Sequence, residues 1–338
     1  MEAILKRILV TGGAGFIGSN FVHYLYRERP DWHITVFDKL TYAGNRENLD
    51  GLDESRVNLI VADICDEAAI DAAIAECDAV VHFAAESHND NSLHSPRPFL
   101  DTNVIGTYQI LEAVRKHGKR LHHVSTDEVY GDLELDDPAK FTPDTPYNPS
   151  SPYSSTKAAS DLLVRAWVRS FGVQATISNC SNNYGPYQVP ENIVPLFALF
   201  ALSNKNLTIY GDGKSVRDYL FVEDHCRAID LILHQGEPGQ TYCVGGGAEK
   251  NGIEIADALL AALPGSKSEK TFVKDRPGHD RRYAIDYTKL KAELGYEPSV
   301  TFEEGLKKTV DWYKNNRWWW EPIINKLYVP DFLRSDKD

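Results

Sequence analysis

The sequence predicts an α/β protein: a doubly wound parallel sheet followed by a smaller, mixed α/β C-terminal substrate-binding region. Three observations predict it. Short apolar runs alternate with longer amphipathic ones over the first 125 residues, a glycine-rich turn joins the first of each, and beyond residue 180 Pro and Gly punctuate shorter, less regular elements. The apolar runs Arg7–Thr11, Ile34–Asp38, Val57–Val61, Ala79–Phe83 and Leu121–Ser125 read as buried strands. Between them Phe16–Arg29, Glu67–Glu76 and Phe99–His117 read as helices. Right-handed crossovers then place helices on both faces of the sheet, the arrangement of a Rossmann fold. The pattern continues through a helix at Ser155–Phe171 and a strand at Gln174–Ser178. Residues 1–181 are therefore read as the sheet domain. Residues 182–338 are read as mainly the second region, with some segments returning to the sheet.

Composition narrows the function. The 338 residues are 42% apolar and 25% charged, far from the signature of a disordered chain. Asp and Glu number 49 against 36 Lys and Arg, a net charge of −13 that argues against nucleic-acid binding but not against a basic pocket for one anion. No run approaches the ~18 apolar residues of a membrane span, and the N-terminus enters a strand rather than a signal peptide. Five widely spaced cysteines without a CxxC pair predict neither a disulfide framework nor a bound metal. A soluble cytoplasmic protein is expected. The run Trp318–Trp320 beside Pro322 is read as a packing or subunit contact.

The strongest local signal is Thr11-Gly12-Gly13-Ala14-Gly15-Phe16-Ile17-Gly18, directly after the first strand and opening the first helix. Glycines there permit a tight turn and close approach of backbone to a pyrophosphate. The helix N-terminus adds amide donors and a favourable dipole. Asp38 follows Gly18 by 20 residues, at the end of the second strand. A carboxylate there accepts both ribose hydroxyls of an adenosine and repels a 2′-phosphate, so NAD is expected over NADP. Neighbouring Lys39 is a cation able to tolerate that phosphate. Asp63 reads as an adenine contact or as the cap of a helix beginning near Asp66.

Tyr153 and Lys157 form a YxxxK pair at the start of a helix, with both side chains on one face. An ammonium beside a phenol favours the phenolate and is expected to lower a pKa normally near 10. Tyr153 becomes a base for a hydroxyl proton. Together with the glycine motif, the pair resembles the extended short-chain dehydrogenase/reductase (NAD-dependent epimerase/dehydratase) family, whose members mostly act on nucleotide sugars. Within it, Ser125-Thr126-Asp127-Glu128-Val129-Tyr130-Gly131 is similar to the branch that dehydrates dTDP-glucose. So are Ala84-Ala85-Glu86-Ser87-His88, Tyr153-Ser154-Ser155-Thr156-Lys157-Ala158, Ser181-Asn182-Asn183-Tyr184-Gly185-Pro186-Tyr187-Gln188 and Arg276-Pro277-Gly278-His279-Asp280. The resemblance spans about residues 6–314.

That resemblance implies a lyase converting dTDP-glucose to dTDP-4-keto-6-deoxy-glucose and water. Hydride passes to bound NAD, water is eliminated across C5–C6, and hydride returns to C6. Elimination requires a base for the C5 proton and an acid for the C6 hydroxyl. The resemblance assigns the acid to Asp127 and the base to Glu128. It has Thr126 hydrogen-bonding the C4 hydroxyl and Tyr153 deprotonating it, with Lys157 as electrostatic support. Its NAD positions correspond to Gly12, Gly15, Phe16, Ile17, Gly18, Asp38, Lys39, Thr41, Asp63, Ile64, Ala84, Ala85, Thr102, Tyr153, Lys157 and Asn183. Those at the sugar correspond to Ser87, Thr126 and Asn182. Those at the nucleotide and diphosphate are Asn192, Ile193, Thr208, Ile209, Tyr210, Arg217, Asn251, Asp275, Arg276 and His279, with Arg217 and Arg276 the natural diphosphate partners.

A homodimer is implied as well, pairing Phe99–His117 and Ser155–Phe171 with their symmetry mates through Leu162, Leu163, Ala166 and Trp167. The chain departs from one common branch, which reads AESHVDRS over Ala85–Ser92 and PEKL over Pro190–Ile193. Two other readings stand: a 4-epimerase or another 4,6-dehydratase of the same fold, and a noncatalytic NAD-binding scaffold. An epimerase needs no acid–base pair at Asp127 and Glu128, and a scaffold needs no activated tyrosine.

Overall fold

A computed structural model describes residues 5–275 and 280–324. In the first half, β1 (Arg7–Thr11), α1 (Phe16–Glu28), β2 (His33–Asp38), β3 (Val57–Val61), α2 (Glu67–Ala75) and β4 (Ala79–His82) follow the expected alternation. After α3 (Asn89–His94), the short α4 (Arg97–Phe99) continues as a π-helix over Leu100–Gly106 into α5 (Thr107–His117). Next come β5 (Arg120–Thr126), α6 (Pro152–Phe171) and β6 (Ala175–Cys180). The second half comprises β7 (Asn182–Tyr184), α7 (Ile193–Leu202), β8 (Leu207–Tyr210), β9 (Val216–Phe221), α8 (Val222–Gln235), β10 (Thr241–Val244) and β11 (Glu249–Asn251). It closes with α9 (Gly252–Ala262), β12 (Lys270–Val273), α10 (Thr288–Leu294), α11 (Phe302–Asn315) and α12 (Arg317–Ile324).

The described strands β1 to β6 and β10 form a seven-stranded sheet in the order β10-β6-β5-β4-β1-β2-β3. Every neighbouring pair is parallel. Strand order reverses between β1 and β4, which opens a crevice at the carboxyl ends of the strands. Both faces of the sheet are covered. Ile8, Val10, Phe21, Leu25 and Ile229 pack on one side, and Leu9, Val80, Ile110, Leu111 and Val164 on the other. The remaining strands make a three-stranded sheet (β11-β9-β7) and a two-stranded one (β12-β8). With α7, α9, α11 and α12 they enclose a separate apolar core around Tyr184, Phe197, Phe221, Tyr313 and Trp319. No described helix is long and apolar enough to cross a membrane.

Two elements differ from expectation. The helix expected from Ser155 begins at Pro152, because Ser151 caps it and forms a reciprocal pair with Ser154, with proline at the first helical position. Tyr153 thereby sits in the first turn, one turn before Lys157. The helix expected at Phe99–His117 is widened over Leu100–Gly106. There the buried Asn103 side chain accepts from Glu86 N at 2.9 Å and donates to the Glu86 carbonyl at 3.0 Å and to Thr156 Oγ1 at 3.0 Å. The wide turn brings Asn103 to the loop after β4 and couples that loop to α6.

Candidate active site

One cavity of about 1030 Å³ runs from the turn between β1 and α1, past the carboxyl ends of β4 and β5, to β8 and β9. That is the upper end of the range for small-ligand sites, room for two nucleotides. At its first end Gly12 has φ +69°, and a Cβ there would lie 2.6 Å from Ala84 N. A Cβ on Gly18 would lie 2.2 Å from the Gly12 carbonyl oxygen, so helix and turn pack at a distance only glycine allows. Gly15 caps α1 without a side-chain hydrogen bond, and no acidic residue occupies the first turn. The first-turn amides and the helix dipole are open to an anion.

Asp38 ends β2, buried, accepting from Ala14 N at 3.0 Å and Leu40 N at 2.8 Å. Burial raises its pKa and the two amides oppose that. Lys39 also lines the cavity and pairs with Asp63, its Nζ 2.6 Å from that carboxylate. Asp66, not Asp63, caps α2, leaving Asp63 on the cavity wall. These features fit an adenine dinucleotide without a 2′-phosphate.

Deeper in, Thr126 ends β5 and Asp127 and Glu128 open the 3-10 turn that follows it, lining the cavity with Tyr153 and Lys157 from the first turns of α6. Thr126 Oγ1 accepts from Glu128 N at 3.3 Å and donates to Asp127 Oδ1 at 3.4 Å. Asp127 is 2% exposed, and its Oδ2 has no partner among the described residues. Burial, then the charges of Glu128 and Asp218, push its pKa well above the usual carboxylate range, the direction that suits a proton donor. Glu128 accepts from Asn89 Nδ2 at 3.3 Å. Two neighbouring carboxyls thus stand in unlike environments, one closed off with its pKa raised, one partly open and hydrogen-bonded.

Tyr153 corrects the sequence reading. Burial and the charge of Glu128 hold its phenol well above 10, opposite to the expected lowering. Lys157 Nζ donates to the Val124 carbonyl at 2.9 Å, and its own pKa is lowered by burial against the support of Asp161.

Of the remaining expected positions, Phe16, Ile17, Thr41, Ile64, Ala84, Ala85, Ser87, Thr102, Asn182, Asn183, Asn192, Ile193, Thr208, Ile209, Tyr210 and Arg217 all line the cavity. Arg217 packs its guanidinium 4.1 Å over the Tyr283 ring and donates to the Asp280 carbonyl at 3.0 Å. Asn251 is not brought in: its side chain caps α9, accepting from Glu254 N at 3.0 Å, with Glu254 answering back to Asn251 N. The Asn-x-x-Glu spacing was a legible signal for that role. Asp275 lies outside the cavity lining and packs at Gly211, while Arg276 and His279 fall outside the described residues. Sequence reasoning missed Tyr42, Glu86, Asn89, Glu191 and Tyr283, which also line the cavity. Glu86 and Glu191 are pushed up by burial.

A doubly wound sheet with this glycine turn at its switch point and a tyrosine–lysine pair across from it defines the class of extended short-chain dehydrogenases/reductases. Residues 9–309 match the family described as GDP-mannose 4,6 dehydratase. The dTDP-glucose 4,6-dehydratase of Mycobacterium tuberculosis is 56% identical over 318 residues, covering 94% of this chain and 96% of the relative. The dTDP-glucose 4,6-dehydratase 1 of Escherichia coli is 48% identical over 349 residues, covering 95% and 96%. A crystal structure of the Streptomyces venezuelae dTDP-glucose 4,6-dehydratase with NAD bound superposes with TM-score 0.89 at 46% identity, covering 94% of this chain and 99% of that one. The chain belongs to this nucleotide-sugar dehydratase family and, within it, to the dTDP-glucose 4,6-dehydratases.

Proposed function

We propose that the protein is a hydro-lyase that converts dTDP-glucose to dTDP-4-keto-6-deoxy-glucose and water with NAD as a bound catalyst. The observation that carries this is the Asp127–Glu128 pair, whose environments separate an acid from a base beside Tyr153. NAD, when bound, supplies the acceptor that takes hydride from C4 and returns it to C6. Thr126 and Tyr153 hold the C4 hydroxyl; the nicotinamide cation of bound NAD would offset the burial that raises the Tyr153 phenol, and Tyr153 as phenolate takes the hydroxyl proton. Lys157 keeps positive charge behind that tyrosine. The C4 ketone acidifies the C5 proton, which Glu128 removes. Asp127 gives its proton to the C6 hydroxyl, which leaves as water. Glu128 then returns a proton to C5, one that has exchanged with solvent. An epimerase has no use for this pair, although the fold is shared: a Thermus thermophilus UDP-glucose 4-epimerase superposes with TM-score 0.84 at 32% identity.

We take residues 1–181 as the NAD-binding domain, with β10 and α8 returning to it, and residues 182–338 as mainly the nucleotide-sugar-binding region. A cytoplasmic homodimer is the proposed assembly. Leu100, Ile105, Tyr108, Leu162 and Phe171 support it, large apolar side chains 39–55% exposed on the π-helix, α5 and α6. Leu163 and Trp167 instead pack onto the home sheet. Sedimentation tests it: wild type should run as a dimer and Leu162→Glu as a monomer. The activity is tested by incubation with dTDP-glucose in deuterated water. Loss of one water with one deuterium at C5 is expected, whereas an intact sugar or a C4 epimer overturns the reading.

A further inference from the structure

The glycine turn is held by the far end of the chain. Ala14 N donates to Asp38, and the Ala14 carbonyl accepts from Asn45 N at 3.0 Å and from Asn48 Nδ2 at 2.8 Å. Asn48 is fully buried, and its Oδ1 accepts the indole N–H of Trp319 at 2.6 Å, across 271 residues. Trp319 packs edge-on to Tyr187 and Trp312, and Tyr187 stacks on His23 of α1 with ring centroids 5.5 Å apart. His23 Nε2 in turn lies 2.8 Å from the Asn48 carbonyl oxygen.

An amide side chain can present either its oxygen or its NH2 to a neighbour, whereas an indole can only donate. Trp319 therefore forces the Asn48 oxygen towards itself and the NH2 towards Ala14. The reversed amide would set two oxygens against each other at Ala14 and two donors against each other at Trp319. We propose that Trp319 is a positioning residue for the cofactor: by orienting the Asn48 amide it holds the Ala14 peptide, and with it the first-turn amides of α1, at the pyrophosphate site. The helix that supplies it lies beyond residue 309, the last residue of the family match. The α12 segment thus completes the first turn of the chain. The inference rests on the NAD reading.

The test compares NAD release from the purified holoenzyme of wild type, Trp319→Phe, Asn48→Asp and Trp318→Phe, with dTDP affinity by calorimetry as the second readout. Trp319→Phe keeps the packed ring and should release NAD about five-fold faster, the factor for one net hydrogen bond, while dTDP affinity holds. Asn48→Asp sets a carboxylate against the Ala14 carbonyl and should release faster still. Trp318, 55% exposed, should leave both unchanged on replacement by Phe. If Asn48→Asp does not fold, Trp319→Phe decides alone. Wild-type release from Trp319→Phe overturns the inference, as does a parallel loss of dTDP affinity, which marks a general packing role. A wild-type chain that retains no NAD overturns the cofactor reading along with it.

Discussion

Asp127 and Asp161 are both fully buried near the same catalytic helix, Asp127 at the carboxyl end of β5 and Asp161 one turn past Lys157 on α6. Their protonation runs in opposite directions. Asp161 Oδ2 accepts from Tyr147 OH at 2.8 Å and Asn179 Nδ2 at 3.0 Å, and Oδ1 lies 3.2 Å from His123 Nε2. Burial raises its pKa, but His123, Lys157 and Asn179 outweigh that and hold it below the usual range. Asp127 meets the same burial with the carboxylates of Glu128 and Asp218 as its neighbours. Depth does not decide what a buried acid does; its partners do. Asp161, held by Tyr147, Asn179 and the His123 ring, is scaffold for α6, and Asp127, beside a second carboxylate, faces the cavity as the proposed acid.

The largest effect should come from removing the acid–base pair. Asp127→Asn and Glu128→Gln should each lower kcat by about 10²–10⁴-fold while the holoenzyme keeps its NAD, read by product formation and deuterium at C5. Turnover within ten-fold of wild type would break the comparison at its functional side. Wild-type activity should also fall as pH rises through the raised pKa of Asp127, since the acid must carry its proton.

Asp161→Asn should act on the fold instead, costing on the order of 2–4 kcal/mol in urea unfolding at neutral pH. Its folded pKa is lowered, so the stability it contributes is present above the unfolded value and lost as pH falls through the folded one. The penalty should therefore fade in acid. Asp127→Asn should do the reverse and stabilise the chain by about 1–3 kcal/mol near neutral pH, because Asn takes up no proton on folding. With a raised folded pKa, Asp127 stabilises below its unfolded pKa and loses that contribution as pH rises through the folded value. The gain from Asn should grow from pH 4 upward. Equal pH dependence of the two variants would sink the distinction. The smallest effect is at Asn89, whose amide donates to Glu128. Asn89→Val should move the acid limb of the pH–rate profile slightly upward, with the alkaline limb unchanged.

Much of the site was legible because its parts are local. The glycine turn, the acid at the end of β2, the Thr126–Glu128 triplet and the YxxxK pair are each set by spacing within one βα unit. What was misread was non-local or an overlooked capping signal. The phenol of Tyr153 depends on where the Lys157 and Glu128 charges go. Glu191 and Tyr283 enter the cavity from segments more than a hundred residues beyond Glu86, with no period to announce them. The capping of α9 by Asn251 was legible too, its spacing to Glu254 being present in the sequence.

The sequence by itself determined the alternation of strands and helices, the sheet they make and the residues at its switch point, because hydrophobic period and turn chemistry act within a few residues. Only the tertiary structure decided which buried carboxyl has its pKa raised and which lowered, that Lys157 anchors on the Val124 carbonyl, and that Trp319 reaches back to the first turn. Those outcomes are set by desolvation and by hydrogen bonds between groups far apart in the chain, and neither exists until the chain has closed on itself.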